Sequence, residues 1–297
     1  MNTDKSQNRP RPHICVYLRP SVVLTLPVFL RCLSTLGCPD ATLDEVLALA
    51  RRHDVPCVEL RALGGTVDLA GYFAAEFGTP ARLAERMRGE RVRVRVVALN
   101  ASLKLIGGTA ADRAQLAGLA PWAEALGARW LRVFDGGKNA DAAELGAATE
   151  ALAWWRALRR ERGWSSDVMV ETHDALITAE KIRAFVAAAP GTAILWDAHH
   201  TWRKGGEDPV GTWRAIRAMG ASVVHVHVKD GVPEPSARHP FTYVLPGAGG
   251  FPMAALRSAL REDGFGGAVS LEWEKMWHPY LPPLEEALVA ARERAWW

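Results

Sequence analysis

The feature that most constrains the fold is an alternation of a short apolar run with a longer amphipathic segment, repeated eight times. The apolar runs have the length of strands, and the segments between them carry apolar residues at helical spacing. The first such helix begins with a capping box, Thr42 followed three residues later by Glu45. This alternation predicts parallel strands joined by helices. The expected strands are residues 32–37, 57–63, 92–100, 130–136, 168–174, 193–200, 223–230 and 268–275.

Eight such units predict a closed (β/α)8 barrel, a TIM barrel, of the α/β class. The alternative is an open doubly wound sheet, which usually has a glycine-rich phosphate turn after its first strand. Here that turn reads GCPDAT, without a GxGxxG pattern. We expect one catalytic domain over residues 29–297, preceded by a flexible or partly docked extension over residues 1–28. The run SVVLTLPVFL, residues 21–30, overlaps the end of the extension and is too short and too interrupted by proline for an export signal.

Composition narrows the functional classes. The net charge is +3, and basic residues are scattered among acidic ones, so we expect neither a nucleic-acid partner nor a membrane partner. The cysteines form no CxxC pair, which predicts reduced thiols in a cytoplasmic protein. The four cysteines are Cys15, Cys32, Cys38 and Cys57.

Each of the last four expected strands carries polar residues near its end, where they interrupt an otherwise apolar run. They are Glu171, His173 and Asp174; Asp197, His199 and His200; His225, His227, Lys229 and Asp230; and Glu272 and Glu274. Catalytic groups of a barrel stand at these strand ends, so the side chains would meet at one mouth. Three adjacent carboxylates repel one another unless a cation neutralises them. Carboxylates with one imidazole predict a single divalent ion, Mn²⁺ or Mg²⁺ in preference to Co²⁺ or Zn²⁺; the alternative is a metal-free polar mouth.

The chain resembles the xylose-isomerase-like barrel superfamily, and within it the sugar (phosphate) isomerase/epimerase branch. The resemblance covers residues from about 32 to 294 and depends on the order and spacing of several short motifs. These are VELR, LRVF, VET, WDAHH, HVHVKD, LPGAGG and SLEWE. The sequence departs from the family in the loop GVPEPSARHP, which lacks a clear match to the arginine of some ketose epimerases.

The resemblance implies residue roles. It implies four metal ligands, which are Glu171, Asp197, His227 and Glu272. It also implies that His200 contacts substrate. Arg132 matches a position that the family often uses near substrate, although the residue could equally be an ion-pair partner at the end of its strand.

The seventh expected strand, VVHVHVKD, carries three nitrogen side chains at every second position. Alternation puts His225, His227 and Lys229 on one face, which in a barrel is the interior. His227 is nearer the mouth and is the expected ligand, and His225 lies one layer deeper as a core histidine. Lys229 is expected at the rim, where it can meet a substrate oxygen or a carboxylate.

The implied activity is that of a metal-dependent sugar isomerase or epimerase. The substrate would be a small-molecule carbohydrate, a ketose or a keto-sugar derivative. The metal stabilises an enediolate, while Glu171 and Glu272 act as the acid–base pair. Loss of a leaving group from the same enediolate would instead give a dehydratase or lyase, acting on a keto-inositol or 3-keto-glycoside.

Aromatic residues near the mouth add candidates for substrate binding. Trp202 and Trp277 are expected in loops, where their faces can stack on a sugar, and His173 is a further candidate. Trp196 and Trp273 are next to ligands in the sequence, so alternation predicts that they point outward into the helix layer.

Two other functions are weaker fits. An apurinic endonuclease needs several zinc ions held partly by histidines of the early strands, and no early strand has one. A non-catalytic sugar-binding barrel would be expected to have lost a ligand, whereas all four positions are filled. Exposed tryptophans, including Trp296 and Trp297, favour a homodimer.

Overall fold

The computed structural model describes residues 29–88 and 93–297, together with Met1. The expected N-terminal extension, Met1 apart, and the first residue of the expected third strand lie outside the described residues.

Eight parallel strands close into a barrel, which confirms the expected fold class. The strands of the chain are β1 Leu30–Ser34, β2 Cys57–Leu60, β3 Arg95–Ile106, β4 Trp130–Gly136, β5 Asp167–Glu171, β6 Ala193–Asp197, β7 Ser222–Val228, β8 Asp230–Val232, β9 Thr242–Val244 and β10 Ala268–Leu271. Around the barrel the order is β1, β10, β7, β6, β5, β4, β3 and β2. The short strands β8 and β9 form a separate antiparallel hairpin in the loop after β7.

Helices connect the barrel strands. They are α1 Leu43–Arg52, α2 Leu69–Phe77, α3 Pro80–Arg86, α4 Ala110–Leu126, α5 Ala142–Arg162, α6 Ala179–Ala188, α7 Ala198–Arg203, α8 Pro209–Ala218, α9 Met253–Glu262 and α10 Leu284–Glu293. The capping box at the start of α1 is formed, with Thr42 N donating to Glu45 over 2.8 Å. Within the described residues, no helix is both long and apolar enough to cross a bilayer.

The barrel interior changes from apolar to polar along the strand direction. Near the N-terminal end it is filled by Met169, Leu195 and the thiols of Cys32 and Cys57, all fully buried. One or two residues further along the strands the interior becomes ionic, as at Glu59 beyond Cys57. The apolar layer therefore supports the polar side chains from below and keeps water away from them.

Two tryptophans beside the expected ligands point out of the barrel, as alternation predicted. The ring of Trp196 stacks on Trp213 of α8 with 5.9 Å between centroids. The indole of Trp273 donates to the carbonyl of Pro282 over 2.8 Å. Both side chains are buried in the helix layer, so they lock helices onto the barrel.

Six barrel strands, the first, second and fifth to eighth, end two to four residues earlier than the sequence indicated, and the third runs on to Ile106. The first continues from Ser34 into a 3-10 turn, Thr35–Gly37. The sixth ends at Asp197, whose carboxylate accepts the backbone N–H of His200 over 2.8 Å and so caps α7. His200 therefore belongs to a helix, because an N-cap aspartate favours the helical turn that follows it.

The LPGAGG motif forms a loop fastened by one carboxylate. Asp230 accepts the backbone N–H groups of Gly247, Gly249 and Phe251 at 2.8, 3.0 and 3.0 Å. A Cβ atom on Gly249 would lie 2.4 Å from an oxygen of Asp230. The close approach requires glycine there and holds the loop against the β8–β9 hairpin.

Candidate metal centre

Four side chains from four neighbouring strands converge at the C-terminal mouth of the barrel. They are Glu171, Asp197, His227 and Glu272, each offering one ligand atom within 4.8 Å of the others. Nδ1 of His227 lies 3.2 Å from Glu272, 3.7 Å from Glu171 and 4.0 Å from Asp197. All four residues are at most 4% exposed. The structure thus brings together the four residues that the resemblance implied as ligands.

A fifth residue, Glu59 of β2, orients the histidine. Its carboxylate lies 3.0 Å from Nε2 of His227 and 3.2 Å from Nε2 of His225. With Nε2 donating to Glu59, the other nitrogen of His227 is left to face the three carboxylates. The sequence analysis missed this role, and the signal available was a carboxylate within the buried run CVEL.

His225 lies one layer deeper, in the position expected for a core histidine. Its Nε2 lies 2.7 Å from Oγ of Ser270 on β10, and the residue is fully buried. Burial lowers the pKa of His225 to about 4, so the ring is neutral at pH 7.

Lys229 lies inside the mouth, which corrects its expected place at the rim. The residue is 1% exposed, and its ammonium contacts Asp197 at 2.9 Å, Glu274 at 2.7 Å and, still more closely, Glu272. Burial alone would lower the pKa of Lys229, but these carboxylates raise it well above its ordinary value. The reason is electrostatic: adjacent buried carboxylates draw the nearest flexible cation inward.

Arg132 of β4 supports the opposite side of the cluster. Its Nε lies 3.0 Å from Oε2 of Glu171, and Nη1 donates to the carbonyl of Ala101 over 3.0 Å. Burial favours the neutral acid, but the charge of Arg132 and the hydrogen bond with His227 lower the pKa of Glu171 to about 2. The structure therefore gives Arg132 the ion-pair role that the sequence analysis had weighed against substrate contact.

Two further histidines lie above the carboxylates. His200 Nδ1 is 3.3 Å from Asp197, and the ring of His200 meets that of His173 edge-on at 4.7 Å. Burial, together with the charge of Lys229, lowers the pKa of His200 well below its usual value, so it is neutral at pH 7. His173 is partly exposed and is bonded to Asp174 over 2.8 Å. Neutral His200 can both donate to and accept from a hydroxyl group.

The two tryptophans expected in substrate-binding loops differ in where they lie, because only Trp277 is in a loop, the one after β10. Trp202 lies in α7, not in a loop, and meets His199 and Phe251 edge-on. Trp277 lies near Arg238, whose guanidinium is 5.9 Å from the ring centroid. The helix begun by Asp197 explains why Trp202 is not in a loop. Contact of either tryptophan with a substrate stays a prediction.

The expectation of exposed C-terminal tryptophans is wrong. Trp296 is 7% exposed and packs near Phe251, at 6.2 Å between ring centroids. Trp297 is partly buried and donates from its indole to the carbonyl of Val269 over 3.0 Å. Neither residue offers an exposed ring, so they carry no argument for a homodimer, which stays a prediction.

The chemistry of the four convergent residues fits a divalent ion. Three of their buried atoms lack a partner in hydrogen-bond geometry within the described chain. They are Nδ1 of His227, Oε2 of Glu171 and Oδ2 of Asp197, of which the two oxygens are in ion pairs with Arg132 at 3.0 Å and Lys229 at 2.9 Å. One imidazole nitrogen with carboxylate oxygens is a donor set for Mn²⁺, Mg²⁺, Co²⁺ or Zn²⁺, and Glu59 is the partner that such a histidine usually has.

Comparison with known proteins identifies the class. The sequence profile of the xylose isomerase-like TIM barrel matches residues 47–297, and the chain belongs to this family. No curated protein matches the sequence.

Solved structures share the fold at low sequence identity. A probable 3-DHS dehydratase, AsbF, from Bacillus anthracis has a TM-score of 0.71 and 16% identity over 90% of this chain and 98% of its own. The IOLI protein with a bound zinc atom has a TM-score of 0.69 and 17% identity, over 90% and 96% of the two chains. A xylose isomerase domain protein from Planctomyces limnophilus has a TM-score of 0.62 and 16% identity, over 91% and 95%.

Proposed function

We propose that this protein is a divalent-metal-dependent isomerase or epimerase of a ketose or keto-sugar derivative. One observation carries the proposal: Nδ1 of His227, oriented by Glu59, faces Glu171, Asp197 and Glu272 in a buried cluster. Glu171, Asp197, His227 and Glu272 would hold a single ion, Mn²⁺ or Mg²⁺ by the oxygen-rich donor set. When bound, the ion supplies Lewis acidity that stabilises negative charge on adjacent substrate oxygens.

Glu171 and Glu272 are the proposed acid–base pair. Glu171 ends β5 and Glu272 directly follows β10, three positions away around the barrel, so they approach a bound substrate from different sides. One removes the proton from the carbon beside the substrate carbonyl, and the other returns a proton. Return to the same carbon on its opposite face is epimerisation, and return to the neighbouring carbon is isomerisation.

The residues around the pair fix its geometry and charge. Arg132 holds one oxygen of Glu171, and Lys229 holds one oxygen of Glu272. Neutral His200, with His173 beside it, is placed to bind substrate hydroxyl groups. Burial of these groups keeps water away from the deprotonated substrate, which limits loss of the proton to solvent.

A dehydratase or lyase is the second candidate, and Lys229 favours it. Its ammonium is within contact distance of Asp197, Glu272 and Glu274, and the carboxylates keep it protonated. A proton donor at this point could assist the departure of a hydroxyl group from the carbon next to the deprotonated one. AsbF, one structure with this fold, is described as a probable dehydratase.

Deuterium exchange tests the proposal. The Mn²⁺-loaded protein is incubated in D2O with a panel of ketoses, keto-inositols and 3-keto-glycosides, followed by NMR and mass spectrometry. We expect deuterium beside the carbonyl of at least one compound, with an epimer, isomer or dehydrated product distinguishing the reactions. Glu171→Gln should abolish the exchange, while Glu180→Gln on the surface of α6 should not change it. Absence of exchange throughout the panel, or exchange retained in Glu171→Gln, contradicts the assignment.

A further inference from the structure

Arg61 is a buried cation without a carboxylate partner among the described residues. It follows β2 at the barrel mouth and is 6% exposed. Nη2 donates to Oγ of Ser102 over 3.0 Å, and Nη1 makes a long contact of 3.4 Å with the carbonyl of Asn100. In residues 29–88 and 93–297, no carboxylate oxygen forms a salt bridge with Arg61. Arg132, the other buried arginine near the mouth, differs from Arg61 because it forms an ion pair with Glu171.

Burying a cation against neutral groups costs free energy, because the groups replace water poorly. Burial, and next the charge of Arg132, lower the pKa of Arg61 to about 9, and the guanidinium stays charged at pH 7. The backbone N–H of Arg61 is also fixed, donating to Oγ1 of Thr35 over 2.8 Å. A charged, anchored and unpaired guanidinium is expected where an anion binds.

Asn100 supplies a second, independent sign of a ligand. It lies on β3, in register with Arg132 of β4, and is 1% exposed. Neither its side-chain oxygen nor its side-chain nitrogen has a hydrogen-bond partner within the described chain. Buried amides are normally satisfied, so this one has capacity for a ligand's oxygen.

The mouth is therefore divided by charge. Carboxylates predominate on the side built by β5, β6, β7 and β10, where the four convergent residues lie. On the side built by β2, β3 and β4, Glu59 lies deeper, against His227, and beyond it along the strands come the guanidinium and amide groups of Arg61, Asn100 and Arg132. A substrate whose reacting carbons lie over the carboxylates would extend its other end toward Arg61.

We propose that Arg61 and Asn100 form a subsite for an anionic group of the substrate, a carboxylate or a phosphate. The substrate class is then an acidic hydroxyketone, not a neutral sugar. A guanidinium binds either anion through two parallel hydrogen bonds, and the amide of Asn100 adds a third donor. The inference deepens the proposed function and depends on it for the reacting end of the substrate, but the anion subsite can be tested by itself.

Binding to matched hydroxyketones tests the subsite. Isothermal titration of the full chain, metal-free and Mn²⁺-loaded, compares neutral dihydroxyacetone with dihydroxyacetone phosphate and with hydroxypyruvate. We expect one anionic compound to bind at least about tenfold more tightly than dihydroxyacetone. Whether that compound is the phosphate or the carboxylate identifies the anion.

Substitutions then show whether Arg61 causes the preference for the anionic compound. Arg61→Gln should remove the preference for the anionic compound. Arg61→Lys should keep only part of it, since lysine retains the positive charge but lacks the paired N–H donors of a guanidinium. Lys138→Gln, which removes an exposed cation in the loop after β4, should leave it unchanged. If Arg61→Gln does not fold, Ser102→Ala tests the subsite instead, because it removes only the hydrogen bond from Ser102 that orients the guanidinium of Arg61. We expect Ser102→Ala to weaken the preference about threefold.

The outcomes separate this inference from the proposed function. A wild-type protein without anion preference overturns the subsite. So does a preference that survives in folded Arg61→Gln, or one that keeps its full wild-type strength in both Arg61→Lys and Ser102→Ala. If metal binding and deuterium exchange succeed while these variants behave as wild type, the function stands and the subsite fails. If the variants abolish anion binding in a chain that takes up no metal, the subsite stands and the function fails.

Discussion

The carboxylate of Glu59 lies 3.0 Å from Nε2 of His227, although the two residues are 168 positions apart in the chain. This hydrogen bond assigns the Nε2 proton of the histidine and directs its other nitrogen at Glu171, Asp197 and Glu272. A ligand histidine held in this way is preorganised, so binding need not pay for fixing the ring.

Glu59→Gln tests this preorganisation. Glutamine keeps the shape of the side chain but removes the charge that orients the imidazole. We expect affinity for Mn²⁺ to fall about 10- to 100-fold, measured by isothermal titration. Glu76→Gln, an exposed change in α2, is the matched control. Equal affinities for the two variants would show that Glu59 does not position the ligand.

His225→Ala should act on stability more than on metal binding. The change removes the contacts with Ser270 at 2.7 Å and Glu59 at 3.2 Å, and leaves a cavity below the metal centre. We expect the free energy of unfolding, measured in urea, to fall by about 2–4 kcal/mol. Affinity for Mn²⁺ should change less than in Glu59→Gln. A stable variant that has lost metal binding would instead make His225 a ligand.

Lys229→Met should make the fold depend on metal. The lysine neutralises part of the charge of Asp197, Glu272 and Glu274 in the metal-free protein. Removing one partner of such a buried group costs about 3–5 kcal/mol, and a bound divalent ion offsets part of that cost. Thermal unfolding with EDTA and with Mn²⁺ should therefore show a wider gap in Tm than in wild type. Lys104→Met, in an exposed pair with Asp174, should not widen the gap.

Cys38 should react slowly and only at high pH. Burial, with a smaller contribution from Glu45, raises the pKa of its thiol from 9.0 to about 12. Because only the thiolate reacts, the rate of alkylation should rise about tenfold per pH unit from pH 8 to pH 11. At pH 8 it should be about 1,000-fold slower than in the unfolded chain. Peptide mass spectrometry after iodoacetamide treatment measures the rate of alkylation, and a rate that levels off near pH 9 contradicts the raised pKa of this half-buried thiol.

The sequence predicted the barrel and its convergent residues because both depend on local periodicity. Eight apolar runs specify eight strands, and alternation within them specifies which side chains point inward. Polar residues at strand ends, such as Glu171 and Asp197, must then meet at one mouth, since all strands of the barrel run in one direction. Comparable reasoning placed Trp196 and Trp273 in the helix layer.

Local periodicity does not specify which side chains of distant strands contact each other, so those contacts were not predicted. Glu59 was read as part of a motif and not as a partner of His227, because nothing local indicates which strand faces it across the interior. Lys229 has a long flexible side chain, so its position was decided by the carboxylates around it and not by strand alternation. The early end of β6 at Asp197 reflects competition between a strand and a helix cap, which placed Trp202 in a helix and not in a loop.

The most direct test of the account is the metal content of the purified protein. Each chain should hold one divalent ion after equilibration with Mn²⁺ and desalting, as measured by inductively coupled plasma mass spectrometry. His227→Ala should hold none, while His225→Ala should still hold one. A wild-type protein that binds no divalent ion under these conditions, or one that retains two or three zinc ions, would contradict a single metal centre formed by Glu171, Asp197, His227 and Glu272.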